Sequence, residues 1–293
     1  MSRSPELARR FYDRFEPVHA VTYFAPEARE RLDALGFRGF WMGYFAARSA
    51  PLGHAPVPVV TAIFHNFAAA RVAGALPAAW DHASPAAALR AREEGAVAAL
   101  RRYGLDDQSA SVAAELATKA ARGAPTDGRP LFAANTAVPW PQDPLARLWH
   151  ATTLLREHRG DGHVAALTAA GISGREANVL HWAAGAVSEE FIRRSRDYTD
   201  DEWAACCRSL SARGLLDGRR LTGAGRRLKD GIENATDTLA LGALAGLDDG
   251  EVEALFGALT PLTRAVVAGG DVPETTPMGL RRDELHDSNA HLR

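Results

Sequence analysis

Glu16, His19 and Tyr23 stand three and four residues apart, a spacing that puts all three on one face of a helix. A carboxylate, an imidazole and a phenol held together can move a proton or grip a polar ligand. They can equally form a hydrogen-bonded support for a helix contact. A second concentration of titratable groups runs through Arg156-Glu157-His158-Arg159-Gly160-Asp161-Gly162-His163, inside a wider set of histidines that includes His150 and His181. For an acid-base enzyme, His19 and His163 are the candidate bases and Glu16 the partner or orienter. His158, Asp161 and His163 join Glu16, His19 and Tyr23 as candidate ligand-binding residues, although capping a helix is the commoner use of an aspartate such as Asp161. The spacing follows no standard zinc pattern and no cysteine is near, so no metal is expected. There is no GxGxxG after a strand, no Walker loop and no GxSxG. No nucleotide or other cofactor is therefore expected.

The helices that carry these residues are legible. Pro5 and Pro26 suit first-turn positions, so 5–36 reads as two helices meeting at Ala25-Pro26. Phe37, Phe40, Trp41, Tyr44 and Phe45 recur at helical spacing and predict an aromatic-faced helix over 37–50. Such a stripe is core or a ligand wall, and Trp41 and Tyr44 are its candidate ligand contacts. A helix over 56–70 carries His65 and Asn66 in apolar surroundings, which marks His65 as a further candidate facing a cavity. Ser84-Pro85 opens one more helix, and Asp106 or Asp107 caps the next. Asp143-Pro144 opens one expected to end at Gly160, with Asp161 capping a short successor. Ser173 and Glu176 have capping-box spacing, as do Thr199 and Glu202.

From Thr199 the chain reads as helix, ribbon and helix. Gly214 stands where a left-handed residue ends the first helix, and Asp217-Gly218 is a strong hairpin signal. Arg213, Arg219, Arg220 and Arg226 cluster around the hairpin and are the candidate DNA contacts. RGLLDGRRLTGAGRRLKDGIE resembles the recognition-helix end, wing and following helix of winged-helix proteins such as the MarR class. The stretches YFAPEA, GFWMGYFAARSAPLG and LREHRGDGHVAAL resemble an actinobacterial helix-turn-helix family labelled SalK-like. Together these resemblances imply a winged helix-turn-helix protein with double-stranded DNA as candidate partner, acting as a homodimer.

Composition limits the alternatives. The 46% apolar and 24% charged residues are ordinary for a folded chain, and a formal charge of -2 withholds the broad basic footprint of a dedicated nucleic-acid binder. Locally, residues 191–233 hold ten Lys or Arg against seven Asp or Glu, a net of +3, but Asp200, Asp201 and Glu202 begin the helix that precedes the hairpin. Carboxylates at that place would repel phosphates. The N-terminal sequence has no apolar core of a signal peptide and no run approaches the ~18 apolar residues of a span, so a cytoplasmic protein without membrane contact is expected.

The expected fold is mainly α: a helical ligand-binding part at 1–122, a Pro/Gly-rich connector at 123–143, a winged-helix part with C-terminal helices at 144–268, and a polar, disordered tail at 269–293. The function this favours is a small-molecule-binding, ligand-responsive DNA-binding transcriptional regulator. The alternative is a cofactor-independent acid-base enzyme of specialised metabolism that keeps the scaffold without binding DNA.

Overall fold

The computed structural model describes residues 3–292 and is mainly helical, with one two-stranded antiparallel ribbon. Before the ribbon come α1 (Pro5–Phe24), α2 (Pro26–Ala34), α3 (Gly39–Ser49), α4 (Val57–Ile63), α5 (Ala69–Ala75), α6 (Pro85–Arg102), α7 (Asp107–Gly123), α8 (Pro130–Thr136), α9 (Pro144–Ala169), α10 (Gly174–Ala183), α11 (Glu189–Ser195) and α12 (Asp200–Ala212). The ribbon is β1 (Leu216–Asp217) and β2 (Arg220–Leu221), and α13 (Gly223–Ala240) and α14 (Asp249–Ala268) follow.

Three apolar cores hold these elements. The first joins α1, α6, α7, α9 and α14 around Phe11, Leu148, Trp149 and Phe256. Its closest packing is α7 on α9, because Ala110, Ala113, Ala114, Ala117, Ala120 and Ala121 are all buried and let the two backbones approach. The second gathers Phe37, Phe45, Phe64 and Phe67 from the aromatic segment. The third links the end of α9 to α10–α13 through Ile172, Val179, Trp203, Leu210, Leu216, Leu221 and Ile232.

The expected cap residues act as such. Ser84 accepts from the Ala87 amide at 3.2 Å, Asp106 from Ser109 at 2.7 Å and Ser173 from Glu176 at 3.2 Å. Thr199 accepts from the Glu202 amide at 3.1 Å, but Glu202 does not return the bond. Its carboxylate goes instead to Arg175, at 2.6 and 2.8 Å. The hairpin pairs Leu216 with Leu221 and Asp217 with Arg220, and Gly218 at φ 57° makes its turn.

Three expectations are corrected. No break occurs at Gly160: α9 runs unbroken for 26 residues. Gly162 serves packing, since a Cβ there would meet Arg129 Nη1 at 2.8 Å and Leu239 Cβ at 3.3 Å. The helix expected over 56–70 is two short ones, α4 and α5, because His65 takes a left-handed φ of 34° between them. The segment 269–292 is docked rather than disordered, with Val272, Leu285 and Ala290 buried. Arg10 donates to Ala290 O and Asp287, both at 2.8 Å, and Arg281 pairs with Asp13 at 2.9 Å.

One close approach fixes how α10 meets the aromatic segment. Gly174 lies so near the 64–67 turn that a Cβ would overlap the His65 carbonyl, and Asn178 donates to Asn66 O at 2.9 Å beside it. Gly174→Ala therefore has to push the turn away, and it should lower the unfolding free energy by about 2 kcal/mol. Gly231→Ala, in open space on α13, should instead add about 0.5–1 kcal/mol through helix propensity. Urea unfolding followed by circular dichroism measures both, and equal effects would contradict the packing argument.

Candidate functional site

The polar face of α1 meets two other helices inside the protein. Tyr44 and Arg48, one turn apart on α3, and Thr153, Arg156 and Glu157 on α9 close around it. Glu157 is the centre: its carboxylate accepts Arg48 Nε and Nη2, both at 3.1 Å, and Arg156 Nη1 at 2.8 Å. Burial alone would push this carboxyl up, but Arg156 and Arg48 outweigh it and hold it at about 2. Glu16 lies behind Arg156, whose Nε approaches it at 3.5 Å, and both its oxygens are sealed without a hydrogen bond. Burial, opposed by Arg156, pushes Glu16 up to about 7.

His19 makes two bonds, to Thr153 Oγ1 at 3.0 Å and Tyr23 OH at 2.9 Å. Thr153 spends its proton on Trp149 O at 3.0 Å, so His19 Nδ1 must donate to it and Nε2 must accept from Tyr23. Burial lowers the imidazole well below its ordinary value, which keeps it neutral. Tyr23, Tyr44, Arg48 and Arg156 each keep some accessible surface, whereas Glu16 and His19 keep almost none. The expected trio on α1 thus shares a face, with only Tyr23 reachable.

His163 belongs to the other end of the same stripe of α9, ten residues beyond Thr153 and about 15 Å along the axis. Its Nδ1 bonds Thr236 Oγ1 at 2.9 Å, and burial lowers it to about 4. Lys229 and Glu233, paired at 3.4 Å, line the space beside it, and His181, also lowered to about 4 by burial, faces the same groups. His65 is lowered by burial as well. His158 and Asp161 point elsewhere, to α8. Asp161 accepts the Phe132 amide at 2.9 Å and burial raises it to about 6, while His158 stands edge-on to Phe132 at 5.0 Å and burial takes it to about 3. Trp41 packs on Tyr44, Phe45 and Phe67 with centroids 5.6–5.9 Å apart, under the Arg71 guanidinium.

Arg196, immediately after α11, completes the junction. It is 9% exposed, lies 4.3 Å over the Phe67 ring and, among the described residues, has no carboxylate within 4.0 Å. Burial lowers its guanidinium to about 10. Among the described residues no three His, Cys, Asp or Glu side chains are placed to hold a metal ion.

The hairpin lies outside this junction. Arg219, with its side chain 73% exposed, pairs with Glu189 at 2.6 Å and covers Trp182 at 5.0 Å; Arg220 is exposed. Arg213 caps the turn after α9 through Gly171 O at 2.9 Å, and Arg226 donates to Leu221 O at 2.7 Å. Of the three carboxylates that begin α12, Glu202 is bound by Arg175 and Asp200 by Arg193, which leaves Asp201 facing solvent without a salt bridge.

Sequence reasoning missed Arg48, Thr153 and Arg196. Arg48 was visible one turn after Tyr44, and Thr153 one turn before Glu157, but nothing in the spacing of Arg196 marks it.

A mainly helical fold with one small two-stranded ribbon is consistent with a helix-turn-helix protein. The chain belongs to a helix-turn-helix family, whose sequence model matches residues 8–273. Neither the comparison with curated proteins nor that with solved structures yields a match. Among the described residues no helix is long and apolar enough to cross a membrane.

Two outcomes follow from this arrangement. Glu157→Gln leaves Arg48 and Arg156 buried without their carboxylate and should cost about 3 kcal/mol or more, read by urea unfolding. Acidification should also destabilise the fold. His150 and His158, at about 3, and His163 and His181, at about 4, lie below the unfolded value, so their contribution is lost as pH falls through 6.5 toward those values. Glu16 and Asp161 act oppositely, their contribution growing as pH falls from about 7 and about 6. His19 and His65 are lowered in the same sense and Glu93 and Asp237 are raised by burial, so six imidazoles outweigh four carboxyls and Tm should drop by roughly 5 °C or more between about pH 7.5 and about pH 5. A Tm that rises over that interval, measured by calorimetry, contradicts the assignment.

Proposed function

We propose that this protein is a ligand-responsive, DNA-binding transcriptional regulator of the winged-helix type. In this reading α11 and α12 are the helix-turn-helix, α12 is the recognition helix, and β1–β2 is the wing. The observation that carries it is the order of α10, α11, α12, ribbon and α13 around one apolar core, with Arg219 and Arg220 exposed on the ribbon, in a chain of a helix-turn-helix family. The engagement of Asp200 and Glu202 by arginines supports it, because those carboxylates no longer face phosphates uncompensated. The outward residues of α12 include Asp201, Ala205, Arg208 and Ala212, a face of small residues on which one cation is offset by one carboxylate, so most of the affinity falls to the wing.

The ligand half of the reading places the effector at the junction of α1, α3, α9 and α11. Tyr23, Tyr44, Arg48 and Arg156 keep accessible surface around Glu157, on the side of α9 that meets α1 and α3. An enzyme working through His19 is the weaker reading, since both imidazole nitrogens are already bonded and Glu16 is sealed.

Fluorescence anisotropy with the DNA upstream of the protein's own coding sequence tests the DNA half. Arg219→Ala and Arg220→Ala should each weaken binding, and each should reduce the salt slope by about one. Binding that is absent at low salt, or unchanged in both variants, removes the wing from the account.

A further inference from the structure

We infer that the junction between α3, α9 and α11 is a binding site for a small organic carboxylate with an apolar body, and that Arg196 is its guanidinium anchor. The inference deepens the effector half of the regulator reading and rests on it.

The first argument is charge. Arg196, over Phe67, lies beside Arg48, over the neighbouring Phe64 ring, and Arg48 in turn adjoins Arg156; one carboxylate, Glu157, serves Arg48 and Arg156. Glu16, which burial pushes up to about 7, carries only part of a negative charge near neutral pH and lies beside Arg156. Neighbouring cations are already matched: Arg71 with Asp197, Arg159 with Asp237 at 2.7 Å, and Lys229 with Glu233. The surplus sits on Arg196. Its Nε is buried without an acceptor, and its best hydrogen bond is a long 3.4 Å contact from Nη1 to its own neighbour, Ser195 O. An unmatched buried cation is costly, and an anion taken up from solution is what offsets it.

The second argument is shape. Phe67 covers one face of the Arg196 guanidinium, which leaves its edge to meet a ligand. Tyr44 and Arg48 approach from α3, and His181 on α10, with an unpartnered Nε2, is acted on by Arg196 more weakly than by Lys229, Glu233 and His163. A planar fork presented edge-on suits the two oxygens of a carboxylate. The apolar rings around it, Phe67, Phe64 under Arg48 at 4.3 Å, and Trp41, suit an apolar or aromatic body.

The third argument is position. Arg196 lies between α11 and α12, on the turn of the proposed helix-turn-helix. Its carbonyl is held by Arg175 at 2.7 Å, and the same arginine grips Glu202 at the start of α12. An anion on Arg196 therefore touches the turn that sets the angle of the two helices.

The test titrates the full-length chain, without DNA, with sodium benzoate, sodium acetate and sodium phosphate at constant ionic strength against sodium chloride. Tm and tryptophan fluorescence are the readouts. Benzoate should raise Tm and change the fluorescence saturably, with a midpoint at least tenfold below that of acetate. Arg196→Leu should abolish the saturable response while keeping a Tm equal to or above that of the unliganded parent, since it removes an unmatched charge. Arg196→Lys should weaken the response at least tenfold, because it lacks the fork. Arg208→Ala, exposed on α12, should respond as the parent does. No saturable response to any salt, an unchanged response in Arg196→Leu, or a response to phosphate alone each overturns the carboxylate site. Because no DNA is present, failure here is separate from failure of the wing variants in the anisotropy experiment.

Discussion

Glu157 is the ionic centre on which the interior depends. It is one carboxylate shared by two buried guanidiniums, from α3 and from α9 itself. Removing a carboxylate from water costs several kcal/mol, and such a group persists inside a protein only when its partners are well placed. Arg48 and Arg156 meet that condition, and in doing so they fix the distance between the aromatic segment and α9. Tyr44 is then held by Arg48 at 3.1 Å, and Glu16 is kept beside Arg156. The hydrogen-bonded line from Tyr23 through His19 to Thr153 runs along the same wall.

This polar centre adjoins α10 and the helices after it through a second constraint, which is steric. Gly174 allows the first turn of α10 to touch the 64–67 turn, and Asn178 bonds Asn66 O there. Arg196 over Phe67 and Arg71 on Asp197 add contacts on the same side. The aromatic segment therefore contacts both the ion cluster and the first turn of α10. A change at the junction has a short physical route to α11 and α12, with no need to pass through the large core under α1, α7 and α14.

Much of the local structure was legible because it is written in single residues. Ser84, Asp106, Ser173 and Thr199 cap helices, Gly214 takes the left-handed C′ conformation, and Asp217-Gly218 turns the hairpin. The face shared by Glu16, His19 and Tyr23 followed from spacing alone. Long-range partners were not legible. Gly160 and Gly162 read as a chain break, yet Gly162 is small because Arg129 and Leu239 lie against α9. Asp161 reads as a cap of its own helix and instead receives an amide of α8. The 269–293 segment reads as polar and free, whereas Arg10 and Asp13 of α1 hold residues 281–290 in place, Arg10 by donating to Ala290 O and Asp13 by accepting from Arg281. Arg196 could not be singled out, because what distinguishes it is the absence of a neighbouring carboxylate.

The central claim is that the buried junction and the proposed DNA-binding surface are energetically coupled. Its most direct test is the DNA affinity of the full-length chain with and without saturating benzoate, measured in parallel for the parent and for Arg196→Leu. Coupling requires the parent's DNA affinity to change by about fivefold or more, in either direction, and the Arg196→Leu affinity to stay constant. A DNA affinity that is identical with and without benzoate in the parent, once benzoate binding itself is established, would contradict the account.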